Sequence, residues 1–127
     1  MNQSPRLLVW NYTRSEKEKL DAVLTEIKAP PAFSIEKDQG RLVLGRIIHD
    51  NERGGEEFRC DEKVLLFYNI PQKGVYLLMQ VFKSADLPKP IYAVVTEHSI
   101  TWPFNELVEH LIEERNRLDP AKGTATE

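Results

Sequence analysis

Three polar clusters follow directly on apolar runs in this chain, and each carries side chains able to hold or transform a small ligand. Asn11-Tyr12 follows Leu7-Leu8-Val9-Trp10, Asn69 follows Val64-Leu65-Leu66-Phe67-Tyr68, and Thr96-Glu97-His98-Ser99 follows Ile91 to Val95. Asparagine amides can donate to or accept from a ligand. His98 is the best-suited residue for acid–base or pH-sensing work, because histidine is the side-chain type that can change charge near neutral pH. A general base also needs a partner and a substrate pocket, and the sequence names neither. Glu97 is adjacent, but neighbours on an extended segment point to opposite sides. The candidate ligand-binding set is therefore Asn11, Asn69, Thr96, Glu97 and His98. The competing role for each asparagine is to satisfy a turn or cap a helix, and for His98 simply to face water.

Other combinations are less specific. Glu106, His110 and Glu114 recur at every fourth position and share one helix face. Carboxylate and imidazole are good ligands for a divalent metal, but the same spacing is routine on an exposed helix flank, and no metal is assigned. Cys60 sits among Glu57, Arg59 and Asp61, and a reactive thiol needs an electropositive setting that this segment lacks. No glycine-rich phosphate loop is present, and Gly54-Gly55 lies in an acidic stretch, the wrong setting for phosphate. Trp102 and Phe104 read as core or staple residues. No cofactor is assigned, and the lack of a convergent catalytic set points away from an enzyme.

The elements that must position these residues are strands and helices in alternation. Leu7–Trp10 reads as a strand buried on both faces. Thr13 or Ser15 can cap a following helix, with Glu16 and Glu18 near its positive end and Leu20, Val23, Leu24 and Ile27 as its apolar stripe. Ala29-Pro30-Pro31 ends that helix, and Ala32 to Ile35 is a short second strand. The pattern then repeats. Val64–Tyr68 is a strand, Pro71 suits a helix start, Val75, Leu78, Val81, Phe82 and Ala85 form an apolar face, and Leu87-Pro88-Lys89-Pro90 leads to a strand from Ile91 to Val95. A shift of 58 positions lays Leu7 on Leu65, Asn11 on Asn69, Leu20 on Leu78, Val23 on Val81 and Pro30 on Pro88. Ser99 or Thr101 can cap a last helix with Pro103 in its first turn, buried through Phe104, Leu107, Val108, Leu111, Ile112 and Leu118. The matching stretch 41–49 leans to a shorter helix.

The expected architecture is a single α/β domain over residues 1–118, made of two βαβ-type halves (about 5–50 and 62–118) with a polar linker at 50–62. Four mostly parallel strands carry helices on the faces, in the order 2-1-3-4 if the halves pack by their first strands. That packing would set Asn11 and Asn69 side by side at the carboxyl ends of the strands, where open α/β sheets bind ligands. A ferredoxin-like sandwich, also made of two βαβ units, is the alternative. Residues 119–127 are small, polar and proline-broken, as in a disordered tail.

The strand Val64-Leu65-Leu66-Phe67, then Ala93-Val94-Val95-Thr96, Trp102, and the helix from Glu106-Leu107-Val108-Glu109 to Glu113-Glu114 form a further pattern. Over about residues 62–117 it resembles a prokaryotic family known only as a domain of unknown function. That resemblance implies a small α/β fold and supplies no activity and no functional residue.

Bulk properties narrow the function classes. The chain has 127 residues, 17 basic against 20 acidic, and a formal charge of −3. It suits one domain, and its scattered basic residues do not make a nucleic-acid face. One cysteine excludes an internal disulfide and fits a cytoplasmic setting. The polar start Met1–Arg6 lacks a signal peptide's apolar core, and no apolar run approaches the length of a membrane span. The leading expectation is a non-enzymatic regulatory or protein-interaction module, with a homodimer or a protein partner as its form of contact. The alternative is a small-molecule-binding or catalytic domain at the strand ends.

Overall fold

The computed structural model describes residues 4–118. Its elements run β1 (Arg6–Trp10), α1 (Arg14–Glu26), β2 (Ala32–Ile35), α2 (Leu44–Asp50), β3 (Val64–Tyr68), α3 (Gln72–Ser84), β4 (Ile91–Val94) and α4 (Phe104–Leu118), with short 3₁₀ turns at Lys37–Gln39 and Ser99–Thr101. The strands form one open sheet in the order β2-β1-β3-β4. The outer pairs are parallel, Leu8 opposite Phe33 and Leu66 opposite Ala93. The central pair is antiparallel, with Arg6 opposite Tyr68 and Trp10 opposite Val64.

Strand alternation sorts the core into two layers. Leu7, Val9, Leu65 and Phe67 face Leu20 and Leu24 of α1 and Val75, Leu78 and Phe82 of α3. Leu8, Trp10, Val64, Leu66 and Tyr68 face Leu44, Ile47 and Ile48 of α2 and Phe104, Leu107 and Val108 of α4. With helices on both faces, β1 and β3 are buried at every position, which is why they read as unbroken apolar runs. It also sets aside the ferredoxin-like sandwich, whose helices share one face. The 41–49 stretch does form a helix, starting at Leu44.

The antiparallel centre corrects one expectation. The end of α2 lies at the start of β1, where the Arg6 guanidinium donates to the Ile48 carbonyl at 3.0 Å. The connection from Asn51 to Lys63 then returns to the other end of β1, where the Trp10 indole donates to the Cys60 carbonyl and the Asn11 amide to the Asp61 carbonyl. It enters β3 there, so β3 runs against β1. Asn11 and Asn69 therefore sit at opposite ends of the sheet, on the order of 20 Å apart by strand rise. They are not side by side.

A local two-fold relation now replaces the simple repeat. Leu8 pairs with Leu66, its own counterpart under the 58-residue shift, and β1, α1 and both left-handed residues after them map onto β3, α3 and theirs. Those residues are Asn11 (φ 65°) and Asn69 (φ 57°), then Lys28 (φ 57°) and Asp86 (φ 55°). Past the second strands the offset is 60. The Glu36 N–H donates to the Gln39 side chain, and the Thr96 N–H to the Ser99 hydroxyl. Leu44 N–H donates to Trp102 O while Phe104 N–H donates to Leu42 O, two bonds that exchange under the same operation.

Candidate functional site

The outer parallel pair of each half ends at its own edge of the sheet, so there are two strand-end regions. At the carboxyl ends of β1 and β2 lies a crevice of about 410 Å³, lined among others by Trp10, Asn11, Tyr12, Ser34, Lys37 and Cys60. Asn11 is engaged through side chain and backbone: its side-chain N–H donates to Asp61 O at 2.8 Å, and its backbone carbonyl accepts from Lys63 Nζ at 2.8 Å. In the left-handed conformation it turns the chain out of β1, a conformation asparagine tolerates better than most residues. Burial pushes the Tyr12 phenol well above its ordinary range, with the Tyr92 phenol and the Glu16 carboxylate adding to the effect. The ammonium of Lys63 also lies 5.6 Å from the Tyr12 ring centroid. Glu16 accepts from Lys63 Nζ at 2.8 Å, and that bond, with the Thr13 backbone N–H, holds its carboxyl below the usual range.

The other end carries Asn69 and the Thr96–Ser99 turn. Asn69 repeats the left-handed exit of Asn11. Thr96 is consumed locally: its N–H donates to Ser99 Oγ at 2.9 Å, and its own Oγ1 accepts from the Ser99 N–H at 3.1 Å. Ser99 is thereby buried in this ring and does not cap the last helix, and Thr101 Oγ1 donates to His98 O instead. Pro103 precedes α4, bridged to Val43. Glu97 and His98 are both exposed. The five residues of the sequence-based set are thus divided, Asn11 at one end and Asn69, Thr96, Glu97 and His98 at the other.

Elsewhere, His110 Nε2 lies 3.5 Å from a Glu114 oxygen, and its ring meets Trp102 edge-on at 5.4 Å. Among the described residues no group of three or more metal-ligating side chains converges. No described helix is long and apolar enough to cross a membrane. The positions expected for a tail, 119–127, lie outside the described residues.

The feature missed from sequence is on the outer face of α1 and α3. Ile27, expected in the buried stripe, is 42 % exposed, and Tyr76 and Leu77 are 62 % and 67 % exposed. A groove between the helices is lined by Val23, Glu26 and Ile27 on one side and Gln80, Val81, Ser84 and Ala85 on the other. Val23 and Val81, Glu26 and Ser84, and Ile27 and Ala85 are counterparts under the 58-residue shift, so the groove straddles the local two-fold axis. Tyr76 and Leu77 lie one turn before it on α3. The signal available in the sequence was arithmetic: Val75, Leu78 and Phe82 already complete a buried stripe, which leaves Tyr76 and Leu77 facing out.

Residues 63–118 match the family model of a domain of unknown function, DUF3783, in agreement with the resemblance seen in the C-terminal half. The match spans β3, α3, β4 and α4, one of the two halves. No curated protein and no solved structure matches the chain.

Proposed function

We propose that this protein is a non-enzymatic interaction module that pairs with a second copy of itself through the outer face of α1 and α3. The exposed group Ile27, Tyr76 and Leu77 around the Val23–Val81 groove carries this reading, because clustered large apolar side chains on a surface mark contact sites. Charge argues for a second copy as the occupant. Of the acids of α1, Glu16, Glu18 and Asp21 are paired with Lys63, Arg14 and Lys17, which leaves Glu26 at the groove, whereas α3 holds Lys73 and Lys83 and no acid. An isologous contact that lays α1 of one copy on α3 of the other satisfies both helix pairs at once. The single cysteine suits a reducing, cytoplasmic setting.

Sedimentation over a concentration series tests this. A monomer–dimer equilibrium is expected, weakened by salt, with Leu77→Glu raising the dissociation constant roughly tenfold or more. Because Leu77 is exposed, the variant should keep the wild-type fold. A single monomeric species at several hundred micromolar, or a dimer indifferent to Leu77→Glu, overturns the proposal.

The crevice at the carboxyl ends of β1 and β2 supports a second reading, small-molecule binding, because that is the customary ligand position in open α/β sheets. A thermal-shift screen against nucleotides, metabolites and anions is its test. A reproducible upward shift abolished by Lys37→Ala supports it, and a flat screen counts against it.

A further inference from the structure

We infer that residues 6–50 are a second, diverged copy of the module matched at 63–118, and that the face joining the two is an interaction surface built to take another module of the same kind. The family match covers only one half of a sheet whose halves are equivalent. Taken alone, the matched module would leave the inner edge of β3, every residue of which is buried, without a partner strand. That edge is filled by a strand of the same length, antiparallel and centred on Leu8 and Leu66, which are themselves counterparts. A module whose surface closes on its own counterpart about a two-fold axis is self-complementary.

Four independent details favour a common origin over a merely shared pattern. The helices α1 and α3 have the same 13-residue length and coincide at a single offset. Lys28, a poor residue for a left-handed conformation, adopts it at the position that matches Asp86, which tolerates it better. A backbone N–H donating to the side chain three residues on recurs at Glu36 and Thr96, and the acceptors Gln39 and Ser99 are both buried. The exchanged bonds Leu44–Trp102 and Phe104–Leu42 close a second seam across the same axis. Simple βαβ construction requires none of these. The inference stands apart from self-association through α1 and α3, which concerns a different face.

The experiment uses the full chain with a protease site inserted between Gly54 and Gly55. Gly54 has a positive φ of 89° and open space where a Cβ would stand, but the Gly55 N–H donates to Asp38 O at 2.9 Å and a Cβ on Gly55 would meet Leu42, so the insert is flanked by flexible residues that let Gly55 keep this contact. After cleavage the halves should co-elute as a one-to-one complex with unchanged circular dichroism. Separated in urea and mixed, they should re-form that complex. A circular permutant, with new ends at the same place and the old ends joined by a flexible linker, should keep the same spectrum and unfold cooperatively. The inference is overturned if the cleaved halves part as separately folded monomers, or if they fail to recombine and the permutant also fails to fold.

Discussion

α1 and α3 occupy matching places in the two halves with the same length, yet they are stabilised by different means. α1 opens with a capping box, Thr13 accepting from the Glu16 N–H at 3.1 Å and Glu16 accepting from the Thr13 N–H at 2.9 Å. It also carries the ladder pairs Arg14–Glu18 and Lys17–Asp21. α3 starts after Pro71 with no side-chain cap and contains Gly74. A Cβ at Gly74 would come within 2.9 Å of the Ile70 side chain. It is held by packing, with Phe82 and Phe67 each stacked on Tyr92. One helix is charged and locally stabilised, while the other depends on its core contacts and turns Tyr76 and Leu77 to the outside. The same backbone course thus supports two surface chemistries, and the proposed contact with a second copy would draw on the charge asymmetry that follows.

The most severe test of the equivalence of the halves lies at their shared axis. Leu8 and Leu66 oppose each other and are almost completely buried in one cluster. Leu8→Ala and Leu66→Ala should each cost about 2–5 kcal/mol, and the two costs should be similar. Urea denaturation measures both. If one costs under about 1 kcal/mol while the other falls in the expected range, the halves are not equivalent at the seam.

The helix starts separate the halves by a smaller amount. Thr13→Ala removes the cap of α1 and should cost about 1 kcal/mol. Pro71→Ala at the matching place removes no cap bond and should cost less. Equal losses would mean that the capping box does not distinguish the two helices.

Much of this was legible in the sequence. Buried strands announce themselves as apolar runs, and helix ends by Thr13, Pro30 and Pro88, so the elements, the order β2-β1-β3-β4 and the pairing of the halves could be read. The direction of β3 could not, because it is decided by where the connection 51–63 crosses, and a polar loop with one buried anchor, Phe58, carries no periodicity to betray its path. That single undetermined direction moved Asn69 to the far end from Asn11 and divided the expected ligand set. Thr96 and Ser99 were also claimed by their own turn, a local competition that short polar side chains often win.

Lys28 and Asp86 offer a test at matching strained positions. Glycine has no Cβ penalty in the left-handed region but loses more entropy on folding. Lys28→Gly should therefore stabilise by about 0.5 kcal/mol, read as a small rise in the thermal midpoint. Asp86→Gly, Asn11→Gly and Asn69→Gly should gain less, since aspartate and asparagine already tolerate that conformation. A destabilisation at Lys28 and Asp86 alike would mean that their side chains hold the turn in place.

A charge pair, comparably small in its expected effect, is present in one half only. Glu16 pairs with Lys63 at 2.8 Å, but the counterpart of Glu16 is Gly74 and that of Lys63 is Pro5, so the second half has no such clamp. Bonding to Lys63 first, and to the Thr13 N–H second, lowers the Glu16 pKa in the fold. A lowered carboxyl contributes stability that is fully present above its unfolded value, near 4.3, and lost as pH falls through the lower folded value. The pair is partly exposed, so its contribution is screened and amounts to roughly 0.2–1 kcal/mol. Asp38, held low by Arg53, bends the same acid limb, so the comparison must be between wild type and Lys63→Met. The variant should lose less stability between about pH 5 and pH 3. A pH profile parallel to wild type would show that Lys63 holds Glu16 no better than water does.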